Sequence, residues 1–382
     1  QISIKDILIG DVWLCSGQSN MQWVVNNVTN AEVEKKNANY SQIRTLNIPR
    51  RMELSPKDTI STTWLVCSPE TVGRFSGVAY FFARKVYEET NIPIGIINSS
   101  WGGTIVETWT SLEAANTLPQ KRLDRYNKNE KLSPPTEYFT RTNKEAKRND
   151  YPSLVYNAMI HPLLSFAIKG VVWYQGENNV GNAEPYTDWL TCMISDWRNR
   201  WNSELPFYII QLPNFDSTNK TPLWAEIRDA QRKVLTIPKT HLIVTSDLGD
   251  PHDLHPRNKQ EVGMRVALQV LHHEYGRPDI VSESPMFERM EINGDKIIIT
   301  FKNTGSGLEI RSRYGCLQGF AIAGEDKKFY WAQGELKDNR IVIWNPKVPN
   351  PIAVRYNWEN NPDGNLYNKD GLPACLFRTD NW

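Results

Sequence analysis

No run in the sequence approaches the roughly 20 apolar residues that a helix needs to cross a bilayer, so no membrane-spanning helix is expected. Charge of one sign is also lacking. Lysine and arginine total 44 against 43 acidic residues, which leaves no net basic character for nucleic acid or an anionic membrane surface. Cysteine is sparse and scattered, at 15, 67, 192, 316 and 375. There is no C-x-x-C pair and no His/Cys spacing suited to zinc, so neither a metal nor an organic cofactor is expected. The odd count leaves at least one thiol free in a monomer, and spacing assigns no disulfide. The chain opens at Gln1 with neither a methionine nor a charged-then-apolar leader. That points to removal of a targeting segment or of an upstream region, and an extracytoplasmic location, periplasmic or secreted, is the expectation.

Aromatic residues are plentiful: 14 tryptophans, 15 tyrosines and 12 phenylalanines. Such rings fill cores and also stack on sugars. At 382 residues the chain is long enough for two domains. Five compact apolar runs read as buried strands: Ile7 to Leu14, Ile94 to Asn98, Gly170 to Tyr174, Phe207 to Leu212 and His241 to Ser246. Between them lie helical patterns at Gly77 to Glu89, Glu184 to Trp201, Trp224 to Ile237 and Pro256 to Tyr275. Parallel neighbours need a crossover, normally a helix. The alternation therefore predicts an α/β fold, a parallel five-stranded sheet covered on both faces, over residues 1–284. Two runs, Ile43 to Ile48 and Thr63 to Cys67, are candidate short strands, and residues 113–150 read as a polar surface excursion. From 285 to 382 the pattern changes to short strands with turns between them (Asn293-Gly294, Thr304-Gly305), the spacing of an antiparallel β module. Its five or so strands are few for a closed sandwich.

Ligands of such sheets sit beyond the carboxyl ends of the strands. Those ends carry Gly17-Gln18-Ser19-Asn20, then Ser99-Ser100-Trp101-Gly102-Gly103-Thr104, then Gln175-Gly176-Glu177-Asn178-Asn179, and finally Asp247-Leu248-Gly249-Asp250-Pro251-His252-Asp253-Leu254-His255. A serine on a turn after a core strand, Ser16 or Ser19, is placed to be a nucleophile. Acyl transfer at a serine also needs a base, a carboxylate near it and N–H donors for an oxyanion, and the other three ends offer each. Taken singly the pieces are ordinary: Gly102-Gly103 is also a tight turn, and Asn178 and Asn179 also suit caps. His252 and His255 stand out, because only six histidines occur and these two fall beside three aspartates. His161 sits in an apolar context that suits a core, and His272 and His273 suit a helix C-terminus.

The blocks D-V-W-L-C-S-G-Q-S-N-M-Q, S-W-G-G-T, V-W-Y-Q-G-E-N-N and D-L-H-P-R-N-K-Q-E-V-G closely resemble the signature of the sialate O-acetylesterase family, a branch of the SGNH hydrolases. The ending, V-R-Y-N-W-E-N-N-P-D-G to L-F-R-T-D, resembles that family as well. The resemblance implies a three-layer α/β/α, flavodoxin-like hydrolase domain with an attached β-sandwich. It implies Ser19 as nucleophile, His255 as general base, and an oxyanion hole made of the Ser19 N–H, the Gly103 N–H and the Asn178 side chain. Related enzymes often place the acid three residues before the histidine, but that position here is His252. Asp253, two before, lies on the same side of an extended segment, while Asp250, Asp247 or a Ser-His dyad remain alternatives. Related chains often carry β structure ahead of the first block, whose absence here would account for a small β module.

The expected function is a serine carboxylesterase that removes O-acetyl groups from a carbohydrate partner, sialic acid first, acetylated xylan or another plant or host glycan next. Gln18, Gln175 and Glu177 are expected to orient groups around the substrate. Trp101 and Trp109 are candidates for stacking on a sugar ring, against packing in the core. The reading from another class is a carbohydrate-binding module on an inactive hydrolase scaffold.

Overall fold

The computed structural model describes residues 5–134, 150–216 and 221–382; part of the polar excursion, 135–149, lies outside the described residues. Seven strands form the main sheet: β1 (Asp11–Gly17), β2 (Tyr40–Asn47), β3 (Trp64–Cys67), β4 (Ile94–Ser100), β5 (Gly170–Tyr174), β6 (Phe207–Ile210) and β7 (Thr240–Ile243). Their order is β3-β2-β4-β1-β5-β6-β7. All neighbours run parallel except β3, which lies antiparallel to β2 at the edge. The five expected strands are therefore present in the flavodoxin-like order 2-1-3-4-5, and the sheet is extended from five strands to seven by β2 and β3.

β1, β4, β5 and β6 are buried almost throughout, because helices cover both faces and leave continuous apolar runs. Gly77–Thr90 and Lys259–Glu274 pack together on one face, and Ala183–Trp201 and Leu223–Lys233 on the other. Trp13 meets Phe82 edge-on in the first layer, and Trp173 meets Trp197 edge-on in the second. Such ring pairs contribute about 0.5–1.5 kcal/mol beyond area burial.

β1 begins later than its apolar run predicts. Ile7 and Ile9 are exposed, and the strand continues through Cys15, Ser16 and Gly17, paired with Asn98, Ser99 and Ser100 on β4. The turn therefore falls after Gly17. At Gly17 φ is +135°, and a Cβ there would come within 2.1 Å of the Tyr174 carbonyl oxygen; the position needs glycine.

The C-terminal region contains β8 (Met286–Asn293), β9 (Lys296–Lys302), β10 (Leu308–Ile310), β11 (Phe320–Ala323), β12 (Tyr330–Trp331), β13 (Gln333–Lys337), β14 (Arg340–Trp344), β15 (Ala353–Tyr356), β16 (Leu366–Asn368) and β17 (Phe377–Arg378). They form sheets β12-β11-β15-β17 and β13-β14-β9-β8, with β10-β16 as a two-stranded pair. Ile297, Ile299, Ile341 and Ile343 from one four-stranded sheet and Phe320, Ile322, Val354 and Tyr356 from the other share one core. Ten strands thus replace the expected five. The additional ones are mostly two or three residues long, or exposed along one side like β8 and β13, and carry little apolar pattern. Trp358, Cys375 and Leu376 belong instead to the core of the α/β region. All five cysteines are free, and only Cys316 is exposed.

Candidate active site

The turn after β1 is stitched to both neighbouring strands. Gln18 N–H donates to the Tyr174 carbonyl at 3.0 Å, and Trp101 N–H donates to the Gly17 carbonyl at 3.0 Å. From this anchored point a single helical turn, Ser19–Gln22, begins. Ser16, inside β1, is fully buried and its hydroxyl has no hydrogen-bond partner among the described residues. Ser19, at the start of the turn, is partly exposed. The two serines are thereby separated.

His255 meets Ser19 across 2.8 Å, Nε2 to Oγ. Its ring stacks on Trp23 with centroids 4.9 Å apart and planes 9° from parallel. Burial, and next the charge of Lys259, push the imidazole below its ordinary pKa, while Asp253 pulls it back up. Asp253 Oδ1 accepts from the backbone N–H of His255 at 2.8 Å. Among the described residues no hydrogen bond reaches the second ring nitrogen of His255. Asp250 Oδ1 accepts from the exposed His252 N–H at 2.8 Å, and Asp247 is held by Arg265 in a two-pronged ion pair at 2.7 and 2.8 Å.

Around Ser19 lie the N–H donors. Ser19 N–H opens a helical turn, where the first N–H groups have no intrahelical acceptor. Gly102 packs so close that a Cβ there would sit 3.2 Å from the Ser19 Cβ. Its N–H donates to Gln22 Oε1 at 2.7 Å. The next residue, Gly103, has φ +78° and an N–H with no partner among the described residues. Asn178 is exposed; one of its amide N–H groups donates to the Gly103 carbonyl at 2.5 Å, and the other is uncommitted among the described residues.

The residues expected to touch substrate fall mainly behind this site. Gln175 and Gln18 are 0% and 1% exposed. Gln18 Oε1 accepts from Gln175 Nε2 at 3.1 Å and Gly176 N–H at 3.2 Å, and Gln175 Nε2 also donates to Thr104 O and Asn179 Oδ1. These amides tie the ends of β1, β4 and β5 together, so both glutamines hold the loops that carry the site. Trp109 is fully buried, donates to Thr104 Oγ1 at 3.0 Å and meets Trp173 edge-on; it is a core residue. Trp101 alone of the four expected substrate residues and Trp109 is more than slightly exposed.

Glu177 is buried too, and leads to residues the sequence did not single out. Asn20, fully buried, donates to Glu177 Oε1 at 2.5 Å and to the Leu254 carbonyl at 3.0 Å. Its Oδ1 accepts from Lys259 Nζ at 2.5 Å. Lys259 is itself fully buried, with its ammonium 5.5 Å from the centre of the Tyr174 ring. Burial raises the Glu177 pKa and lowers that of Lys259 to about 7. Asn20 and Lys259 stood inside the first and fourth blocks, and Trp23 one residue past the first, but a polar residue at a helix start reads as a cap or a solvated side chain.

One group among the described residues has metal-like spacing: His241, His273 and Glu283, with ligand atoms within 4.8 Å. It lies at the start of β7, opposite the strand ends that carry Ser19. The two imidazoles are stacked, centroids 4.0 Å apart and planes 30° from parallel, and His273 Nε2 lies 3.5 Å from Glu283 Oε1.

A family model described as "carbohydrate esterase, sialic acid-specific acetylesterase" matches residues 9–272. Among curated proteins, the sialate O-acetylesterase of Pongo abelii is 33% identical over 327 residues, covering 77% of this chain and 59% of that protein. The Homo sapiens sialate O-acetylesterase is 32% identical with the same coverage. The chain thus spans 59% of the length of these relatives. Among solved structures, a carbohydrate acetylesterase from Xanthomonas citri superposes with a TM-score of 0.87 at 37% identity, covering 98% of this chain and 81% of that one.

Proposed function

Since the chain belongs to the carbohydrate esterase family of sialic acid-specific acetylesterases, we propose that it removes O-acetyl groups from a carbohydrate through an acyl-enzyme on Ser19, with O-acetylated sialic acid as the substrate. The observation that carries this reading is the 2.8 Å contact between Ser19 Oγ and His255 Nε2, on a partly exposed strand end with unspent N–H donors beside it.

In the proposed reaction His255 takes the Ser19 proton as Oγ attacks the acetyl carbonyl carbon. Negative charge then develops on the carbonyl oxygen, where the Ser19 and Gly103 N–H groups and the Asn178 amide stabilise it. The intermediate collapses, the sugar oxygen leaves with the proton held by His255, and the acetyl group stays on Ser19. A water activated by the same imidazole releases acetate and restores the serine. His255 must be neutral to begin, and its depressed pKa keeps it so. Asp253 supplies negative charge near the imidazolium that forms. Trp101 is the side chain here that offers a ring face to the sugar.

The test is acetate release from a panel of O-acetylated sialic acids, xylans and pectins, with p-nitrophenyl acetate as a general ester. The intact protein is expected to release acetate fastest from acetylated sialic acid, and Ser19→Ala to abolish turnover. A preference for xylan would reassign the sugar. Equal rates for the intact protein and Ser19→Ala would remove the serine mechanism.

A further inference from the structure

His255 has no hydrogen bond to its second ring nitrogen among the described residues, and the three nearby aspartates are committed to backbone N–H groups or to Arg265. Something else must keep a serine on one loop in register with a histidine on another. Asn20 follows Ser19 in the chain, and Leu254 precedes His255. The Asn20 amide joins the two directly, donating to the Leu254 carbonyl at 3.0 Å.

A side-chain amide can point either way, and here two buried charges decide. Lys259 Nζ, a donor only in its protonated form, faces Asn20 Oδ1 at 2.5 Å. Glu177 Oε1 accepts from Asn20 Nδ2 at 2.5 Å. Turning the amide over would set its N–H groups against the ammonium and its oxygen against the carboxylate, so only one orientation survives. In that orientation the remaining N–H meets Leu254. Asn20 and Lys259 are fully buried and Glu177 is 8% exposed, so water does not compete for these bonds. Opposite charges kept this far from solvent are costly to maintain, and their place between the nucleophile and the base gives them a task.

We infer that Lys259, acting through Asn20 and opposed by Glu177, is a positioning residue that locks the Ser19 turn and the His255 loop into register, in place of a carboxylate hydrogen-bonded to the imidazole. The inference rests on the proposed Ser19–His255 chemistry. The groups facing Lys259 are Asn20, the Tyr174 ring, Glu177 and Asp253, and its charge reaches His255.

The experiment compares the intact protein with Lys259→Met and Lys259→Gln. Lys259→Met removes the donor and is expected to lower kcat about 10²-fold, as a loss of catalytic alignment does, with KM nearly unchanged. It also removes a positive charge near His255, so the acid limb of kcat/KM moves to higher pH. Lys259→Gln keeps an N–H donor without charge: most of kcat returns, and the acid limb still moves up. A folded Lys259→Met protein with native kcat and pH profile overturns the inference. So does a kcat loss matched by the fraction unfolded, with the profile unmoved. If Lys259→Met does not fold, Lys259→Gln decides, and an unshifted profile counts against the role. Failure of the esterase proposal looks different, since the intact protein itself would then release no acetate. In that event the His255 imidazole is titrated by NMR in the intact protein and in Lys259→Gln: a higher pKa in the variant supports the coupling, and no change overturns it.

Discussion

The imidazole of His255 works between two opposite charges. Burial, and after it Lys259, hold its pKa below the ordinary value near 6.5, and Asp253 raises it. A base with a lowered pKa stays neutral further into acid, so the acid limb of kcat/KM is expected below pH ~6.5. Asp253→Asn removes the opposing negative charge while leaving an oxygen for the His255 backbone N–H. It should move that limb lower still, with a kcat loss of about tenfold or less; an acid that orients a triad histidine costs about 10⁴ when replaced, and a loss of that size would return Asp253 to the orienting role. Asn178→Ala deletes one proposed oxyanion donor and is expected to lower kcat by about 10²–10³, measured with p-nitrophenyl acetate. At this scale the sequence was legible where side chains reach the surface of the site. Ser19, His255, Gly103 and Asn178 all lie where the blocks put them, and their roles await those measurements. What it hid were the buried polar residues. Gln18, Gln175 and Glu177 look like substrate ligands in a string of letters, and only the packing shows that their amides and carboxylate face inward.

The strands are legible in the sequence in proportion to their burial. β1, β4, β5 and β6 lie between two helical layers and print as continuous apolar runs. β2 has only Tyr40, Ile43 and Leu46 as apolar residues, three apart and off the strand period, with a burial pattern that is only intermittently closed, and β3, at the sheet edge, has Trp64 37% exposed. Both gave a weaker signal than the central strands. β1 starts later than its apolar run suggests for the same reason in reverse: Ile7 and Ile9 are apolar yet exposed, while Ser16 and Gly17 are polar or small yet inside the strand. Gly17→Ala is the substitution that tests this element. A side chain at positive φ costs about 1–3 kcal/mol, and the clash with the Tyr174 carbonyl adds to it. The variant is expected to unfold at clearly lower temperature and, where folded, to lose activity through displacement of Ser19.

Across the whole molecule, the C-terminal segments brace the α/β region at the loop that carries His255 and at the helix Leu223–Lys233. Tyr367 Oη donates to Asp247 at 3.2 Å, and the fully buried guanidinium of Arg228 is held by the backbone carbonyls of Trp224, Glu359 and Asn360. Burial lowers the Arg228 pKa to about 9. Arg228→Ala removes the side-chain donor to the Glu359 carbonyl, at about 1–3 kcal/mol for a buried acceptor left without its partner, while the Asn360 carbonyl keeps the Phe215 N–H; thermal unfolding should shift down, and limited proteolysis should cut near 359–363 sooner than in the intact protein. The change to short antiparallel strands near residue 285 is legible in the sequence, but this brace could not be foreseen, because Trp358, Cys375 and Leu376 carry no mark that assigns them to the core of the α/β region. The stitching at the end of β1 reaches further. The amides of Gln18 and Trp101 are bonded to carbonyls on neighbouring central strands, and no local fraying frees them without opening the middle of the sheet. Their protons should exchange with deuterium only as fast as the entire α/β region unfolds, so heat would silence the nucleophile and melt the sheet at a single midpoint.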